Sequence, residues 1–169
     1  KQLKKNITQY EMLKKLELNN KAFKHINDYC IKKKIEFLSS PFSVERARFL
    51  CENLKMKTIK IASSKMHENY ILKYLNKKCD KIFLSTGMAN IKDIKNSLKI
   101  LTNPEVIIMH CVSEYPLKER NANLLAIKYL KKNFPKYEIG YSDHSIGILA
   151  CLIAASLGAT VIEKHFTLN

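Results

Sequence analysis

Six short runs rich in isoleucine, valine and phenylalanine recur along the chain, each preceded by a segment with helical periodicity. They fall at residues 35–42, 58–63, 81–87, 105–112, 138–142 and 160–165. Apolar runs that continue rather than alternate read as strands covered on both faces. Helices between such strands make the connections parallel crossovers, so the rhythm predicts an α/β fold around a parallel sheet. Eight such units close a (β/α)8 TIM barrel, and about six of the eight predict a partial one. Residues 1–169 are accordingly expected to form a single partial catalytic domain. An open doubly wound sheet is the alternative, but it announces itself with a glycine-rich first turn. This chain has four glycines and no GxGxxG.

The segments between strands carry their own punctuation. The helix predicted over residues 20–34 gathers Phe23, Ile26, Tyr29, Cys30 and Ile31 on one side, which predicts a core-facing stripe. Pro41 stops the first run, Ser43 is placed to cap the helix over 44–53, and Gly158 to close the one over 146–157. Helices are further expected over 69–78, 90–101 and 124–133.

With 46% hydrophobic and 27% charged residues, the composition is that of a globular domain and excludes disorder. No signal peptide is evident, and the longest apolar run, 146–157, is too short to span a bilayer. Five cysteines without CxxC spacing predict free thiols. These readings point to a cytoplasmic protein with no membrane partner. A net charge of +15 raises the question of nucleic acid. The lysines are spread through every helical segment and no aromatic residues interleave with a basic cluster, so no nucleic acid is expected. What remains is an attraction for anionic small substrates. The chain opens on Lys1 rather than methionine, and a longer natural protein is expected.

Chemistry-bearing residues gather at the C-terminal ends of the predicted strands, where barrel enzymes place their sites. They are Ser39 and Ser40, Lys60 and Ser63, Ser85 and Thr86, His110 and Ser113, Ser142 to His144, and Lys164 and His165. Hydroxyls donate hydrogen bonds and the two lysines supply charge, a set suited to phosphate or carboxylate. His144 and His165 end consecutive strands and so emerge at one edge of the sheet. Two imidazoles there suit one divalent metal with positions left open. Each histidine could instead simply hydrogen-bond within the barrel rim.

Seven motifs, in order and spanning nearly the whole chain, resemble those of the sialic acid synthase family. They are Tyr10 to Leu18, Phe37-Leu38-Ser39-Ser40-Pro41-Phe42, Lys60-Ile61-Ala62-Ser63, Leu84-Ser85-Thr86-Gly87-Met88, His110 to Pro116, Gly140-Tyr141-Ser142-Asp143-His144 and Glu163-Lys164-His165-Phe166-Thr167. That family comprises N-acetylneuraminate, legionaminate and pseudaminate synthases. The resemblance implies condensation of phosphoenolpyruvate with the open-chain aldehyde of an N-acetylated hexosamine such as N-acetylmannosamine, with release of phosphate. It implies Mn2+ or Mg2+ on His144 and His165, polarising the aldehyde as a Lewis acid. Ser40, Lys60, Ser63, Ser85, Ser113 and Ser142 would hold phosphoenolpyruvate, Tyr115 would meet the sugar, and Asp143 would orient a metal histidine. The full-length form is expected to be a homodimer.

Measured against that pattern, the family's first two strands and its C-terminal antifreeze-like domain are absent from these residues. Ser64 and Lys65 stand where the family has a glycine and an acidic residue. An inactive truncated remnant of such an enzyme is therefore the competing reading, and a basic nucleic-acid-binding protein the one from another class.

Overall fold

The computed structural model describes residues 8–168. They form two compact units that divide between Phe37 and Leu38. The first contains α1 (Gln9–Leu16) and α2 (Asn20–Lys33). Thr8 opens α1 with a capping box, its hydroxyl accepting from the Glu11 amide while the Glu11 carboxylate accepts from the Thr8 amide. α2 starts on Asn19, whose side chain accepts from Ala22, and ends on Lys34 in the left-handed region at φ 58°. The predicted core-facing stripe of α2 is only partly realised. Phe23, Ile26 and Cys30 are half-buried around the buried Asn27, but Tyr29 and Ile31 are exposed. The helical wheel explains the split: 23, 26, 27 and 30 share one narrow face, whereas 29 and 31 fall on its opposite flanks. Phe23 meets Phe37 with ring centroids 6.1 Å apart.

The second unit is built on five parallel strands in sequential order: β1 (Thr58–Ile61), β2 (Lys81–Ser85), β3 (Glu105–Cys111), β4 (Glu138–Asp143) and β5 (Ile162–Lys164). α3 (Val44–Arg48) precedes β1, and its last turn widens into a π-helical turn, Phe49–Asn53. Between strands lie α4 (Asn69–Asn76), α5 (Ile91–Ile100), α6 (Ala126–Asn133) and α7 (Leu149–Ser156). The strand order never reverses, so the sheet lacks the switch point of a doubly wound fold.

The sixth expected strand is not there. Residues 35–42 run without strand pairing beyond one hydrogen bond, from the Lys60 amide to the Ser39 carbonyl at 3.2 Å. The pattern misled because Ile35, Leu38 and Phe42 are all exposed, so no burial rewards an extended apolar run. Pro41 also withholds a donor from the ladder.

The core lies between strands and helices. Ile59, Ile61, Ile82 and Leu84 are fully buried on one face, each contributing about 1.5–3 kcal/mol. Thr58, Lys60, Lys81 and Phe83 alternate onto the other face and stay half-exposed. That second face is concave. Lys60 of β1 touches Glu163 of β5, with its Nζ 2.6 Å from both carboxylate oxygens. Four interstrand steps of about 4.8 Å would set flat strands roughly 19 Å apart. That is more than the two side chains span end to end. The sheet is therefore curled into a half-barrel, whose rim carries the strand-end residues.

Candidate functional site

At the C-terminal ends of β4 and β5, with Lys60 reaching over from β1, a cleft of about 270 Å³ opens. Lys60, Tyr115, Ser142, Asp143, His144, Glu163, Lys164 and His165 line it. Register explains the convergence: Ser142 pairs with Glu163 and Asp143 with Lys164, so alternate residues of both strands share a face.

Glu163 and Lys60 form the charged centre. Burial alone would raise the Glu163 pKa, but hydrogen bonds from Lys60 and Ser142 and the nearby cations outweigh it and hold the group below its ordinary value. Glu163 is thus a carboxylate clamped on a lysine that is 19% exposed. The sequence reading did not single it out among the site residues. Its partner lies 103 positions away, and only curling of the sheet joins them.

His144 and His165 approach with ring centroids 5.6 Å apart, and Tyr115 lies against both at 4.0 and 6.2 Å. The Nδ1 of His144 is 2.7 Å from the Val112 carbonyl, which can only accept, so Nδ1 carries the proton and Nε2 keeps its lone pair. Burial lowers the pKa of His144, and the charges of His165 and Lys60 push the same way, against the Val112 hydrogen bond. A neutral imidazole with a free Nε2 is the form that binds a metal. Two imidazoles sharing one ion, each nitrogen about 2.1 Å from it, place their ring centroids roughly 4.5–6 Å apart, which accommodates this pair. Among the described residues no group of three or more His, Cys, Asp or Glu is placed to hold a metal. The fit is therefore to two protein ligands, with the other positions left to water or substrate.

Asp143 does not orient His144; the Val112 carbonyl does. The Asp143 carboxylate, fully buried, instead accepts from Tyr141, the Ser145 amide and hydroxyl, Cys151 and the Lys164 ammonium at 2.5 Å. Burial would raise its pKa, but these donors hold it far below the ordinary carboxylate range. Lys164 also donates to the Ser145 carbonyl at 2.8 Å, so its charge is spent fixing the loop after β4. Both lysines expected at an anion site line the cleft, Lys60 paired with Glu163 and Lys164 with Asp143.

The hydroxyls divide. Ser142 is buried at the cleft. Ser63 accepts from the Gly87 amide at 3.0 Å, and its Oγ lies 3.2 Å from the Cys111 sulfur. A Cβ at Gly87 would stand 2.8 Å from Ser113 Oγ and 2.9 Å from Ser63 Oγ, so this glycine lets the two hydroxyls converge. Gly87 and Cys111 had no role in the sequence reading. Ser85 is buried two residues before that glycine, and its Oγ has no hydrogen-bond partner, an arrangement that is costly unless something accepts from it. Ser40 follows Ser39, whose carbonyl holds the Lys60 amide. His110 turns away, its Nε2 donating to the Ala122 carbonyl at 2.9 Å and its ring stacked on Tyr141.

The chain is 42% identical over 167 residues to the N,N'-diacetyllegionaminic acid synthase of Campylobacter jejuni, covering 96% of this chain and 49% of that protein. It is 33% identical over 156 residues to the N-acetylneuraminate-9-phosphate synthase of Mus musculus, covering 91% and 42% respectively. Among solved structures, the N-acetylneuraminic acid (sialic acid) synthetase of Leptospira borgpetersenii, in complex with citrate, superposes with a TM-score of 0.85 at 35% identity. That match covers 90% of this chain and 54% of the synthetase. The chain spans about half the length of the curated relatives it matches. The sequence pattern of the NeuB family matches residues 1–169 throughout, and the chain belongs to that family.

Proposed function

We propose that this chain carries the anion- and metal-binding half of a nonulosonic acid synthase. That enzyme, a (β/α)8 barrel and a homodimer when complete, condenses phosphoenolpyruvate with the open-chain aldehyde of an N-acetylated hexosamine and releases phosphate. The observation that supports this best is the meeting of Lys60, the His144–His165 pair and Tyr115 in one cleft. Lys60 supplies the cation for the phosphate or carboxylate of phosphoenolpyruvate, with Ser142, Ser63, Ser113, Ser85 and Ser40 donating hydrogen bonds around it. Glu163 keeps the Lys60 ammonium aimed into the cleft. Tyr115 offers a ring face to the sugar. Mn2+ or Mg2+ would be held by His144 and His165 and, when bound, supplies Lewis acidity toward the aldehyde.

The test is Mn2+ titration of this chain followed by electron paramagnetic resonance, with and without phosphoenolpyruvate. Saturable binding that His144→Ala/His165→Ala abolishes is the expected result. Lys60→Met should keep the Mn2+ signal and weaken the effect of phosphoenolpyruvate about tenfold or more, the size of one lost charge-assisted hydrogen bond. Equal Mn2+ binding by a folded double histidine variant would overturn the metal assignment. An unchanged response in Lys60→Met would move the anion elsewhere.

A further inference from the structure

On the helical side of the first βα unit, away from the cleft, two sulfur atoms lie side by side. Cys51 sits in the π-helical turn Phe49–Asn53, and Cys79 in the connection between α4 and β2. Their Sγ atoms are 3.9 Å apart, although the residues are 28 positions apart in the chain. Cys51 is half-buried and open to a small reagent, while Cys79 is only 6% exposed. The surroundings are basic. Lys57 donates to the Lys78 carbonyl at 3.3 Å, and the Lys78 ammonium pairs with Glu52, the residue after Cys51, at 3.4 Å.

We propose that Cys51 and Cys79 form a peroxide-responsive dithiol that closes to a reversible disulfide. A sulfur–sulfur bond measures about 2.05 Å, so closure brings the atoms together by roughly 1.9 Å. The π turn is the element placed to give, since such turns carry looser backbone hydrogen bonding than the α-helix they interrupt. The roles of the two thiols differ. The hydrogen bond from Cys79 lowers the Cys51 pKa against the opposing effect of burial, and the Lys57 and Lys78 charges add to it. Cys51 is therefore the nucleophile and Cys79 the resolving thiol.

The chemistry balances with hydrogen peroxide as the oxidant. The Cys51 thiolate attacks one peroxide oxygen, the O–O bond breaks, and the departing hydroxide takes up a proton to leave as water. The product is a sulfenic acid on Cys51. The Cys79 sulfur then attacks the Cys51 sulfur and expels its oxygen as a second water. Two thiols are oxidised to one disulfide as one peroxide is reduced to two waters. The crosslink staples the turn before β1 to the connection before β2, and the loop it closes contains Lys60 and Ser63.

The experiment treats the chain with about one equivalent of hydrogen peroxide, blocks remaining thiols by alkylation, and maps peptides without reduction. A Cys51–Cys79 linked peptide that dithiothreitol removes is expected, with the half-buried Cys30 still alkylated. In Cys79→Ser, Cys51 should be trapped by dimedone as a sulfenic acid. In Cys51→Ser, Cys79 should stay alkylatable. A map in which both cysteines remain alkylated while Cys30 reacts, or in which either pairs elsewhere, overturns the proposal. The unmodified chain alone decides this, even if a variant fails to fold.

Discussion

His110 shows how one buried side chain sets a pH dependence. Burial lowers its pKa from the ordinary value of 6.5, against the backbone hydrogen bonds that raise it. Its folded pKa is therefore below its unfolded one, and the unfolded chain takes up the proton first. Stability falls as the pH drops through about 6.5 and levels off below the folded value. His110→Gln keeps a donor for the Ala122 carbonyl and cannot charge. Urea unfolding should find that the variant loses less stability than the parent between about pH 7 and pH 5.5. Gly87 makes the opposite kind of prediction. The methyl of Gly87→Ala would press on Ser63, Ser113 and Cys111, so phosphoenolpyruvate binding should weaken by about tenfold with the fold retained. Isothermal titration calorimetry checks the first part and circular dichroism the second. At this scale sequence was uneven. The hydroxyls and histidines stood out by type and position, but Glu163 and Cys79 gain meaning only from partners that the chain brings near by folding.

At the scale of elements, boundaries follow capping chemistry. The Asn90 side chain accepts from the Asp93 amide while the Asp93 carboxylate accepts from the Asn90 amide, a reciprocal cap at the start of α5. Asn90→Ala should cost about 1 kcal/mol in thermal or urea unfolding. The loop after β4 rests on Asp143, whose carboxylate gathers donors from β4, β5, α7 and the loop itself. Asp143→Asn leaves the Lys164 ammonium without its counter-charge in a site that is largely dry. A loss of about 3 kcal/mol is expected, with the Mn2+ signal weakened because His144 is the next residue. The strands 58–61, 81–85, 105–111 and 138–143 were legible because each buries apolar residues, at alternate positions in the first two and nearly throughout in the other two. Residues 35–42 carried the same composition without the cover. Composition reports a preference for extended backbone, while pairing requires a neighbour with free donors and acceptors.

For the molecule as a whole, the net charge of +15 reflects thirty basic residues dispersed along the chain against fifteen acidic ones, some of which meet in ion pairs such as Lys57–Asp80, Lys65–Glu68 and Lys81–Glu105. No oligonucleotide should be retained at about 0.15 M salt, as fluorescence anisotropy would show, because the lysines are spread through every helical segment of the sequence. Lys65, which reverses the charge usual at its position in the resemblance, spends it on Glu68 and on the ring of Phe42 at 6.0 Å. The parallel order of strands was readable from the helix–strand alternation, and its curling from the likeness of that rhythm to a barrel, but not the pairing of Lys60 with Glu163, which depends on which side chains can meet across the concave face. That curvature also sets a timetable for assembly. Each strand pairs with the one made just before it, so β1 to β4 can zip together as they leave the ribosome. Lys60, made early, has no carboxylate to hold until Glu163 is translated 103 residues later. The scaffold is therefore old and the cleft young on every nascent chain, since the contact between the first and fifth strands waits for both to be made.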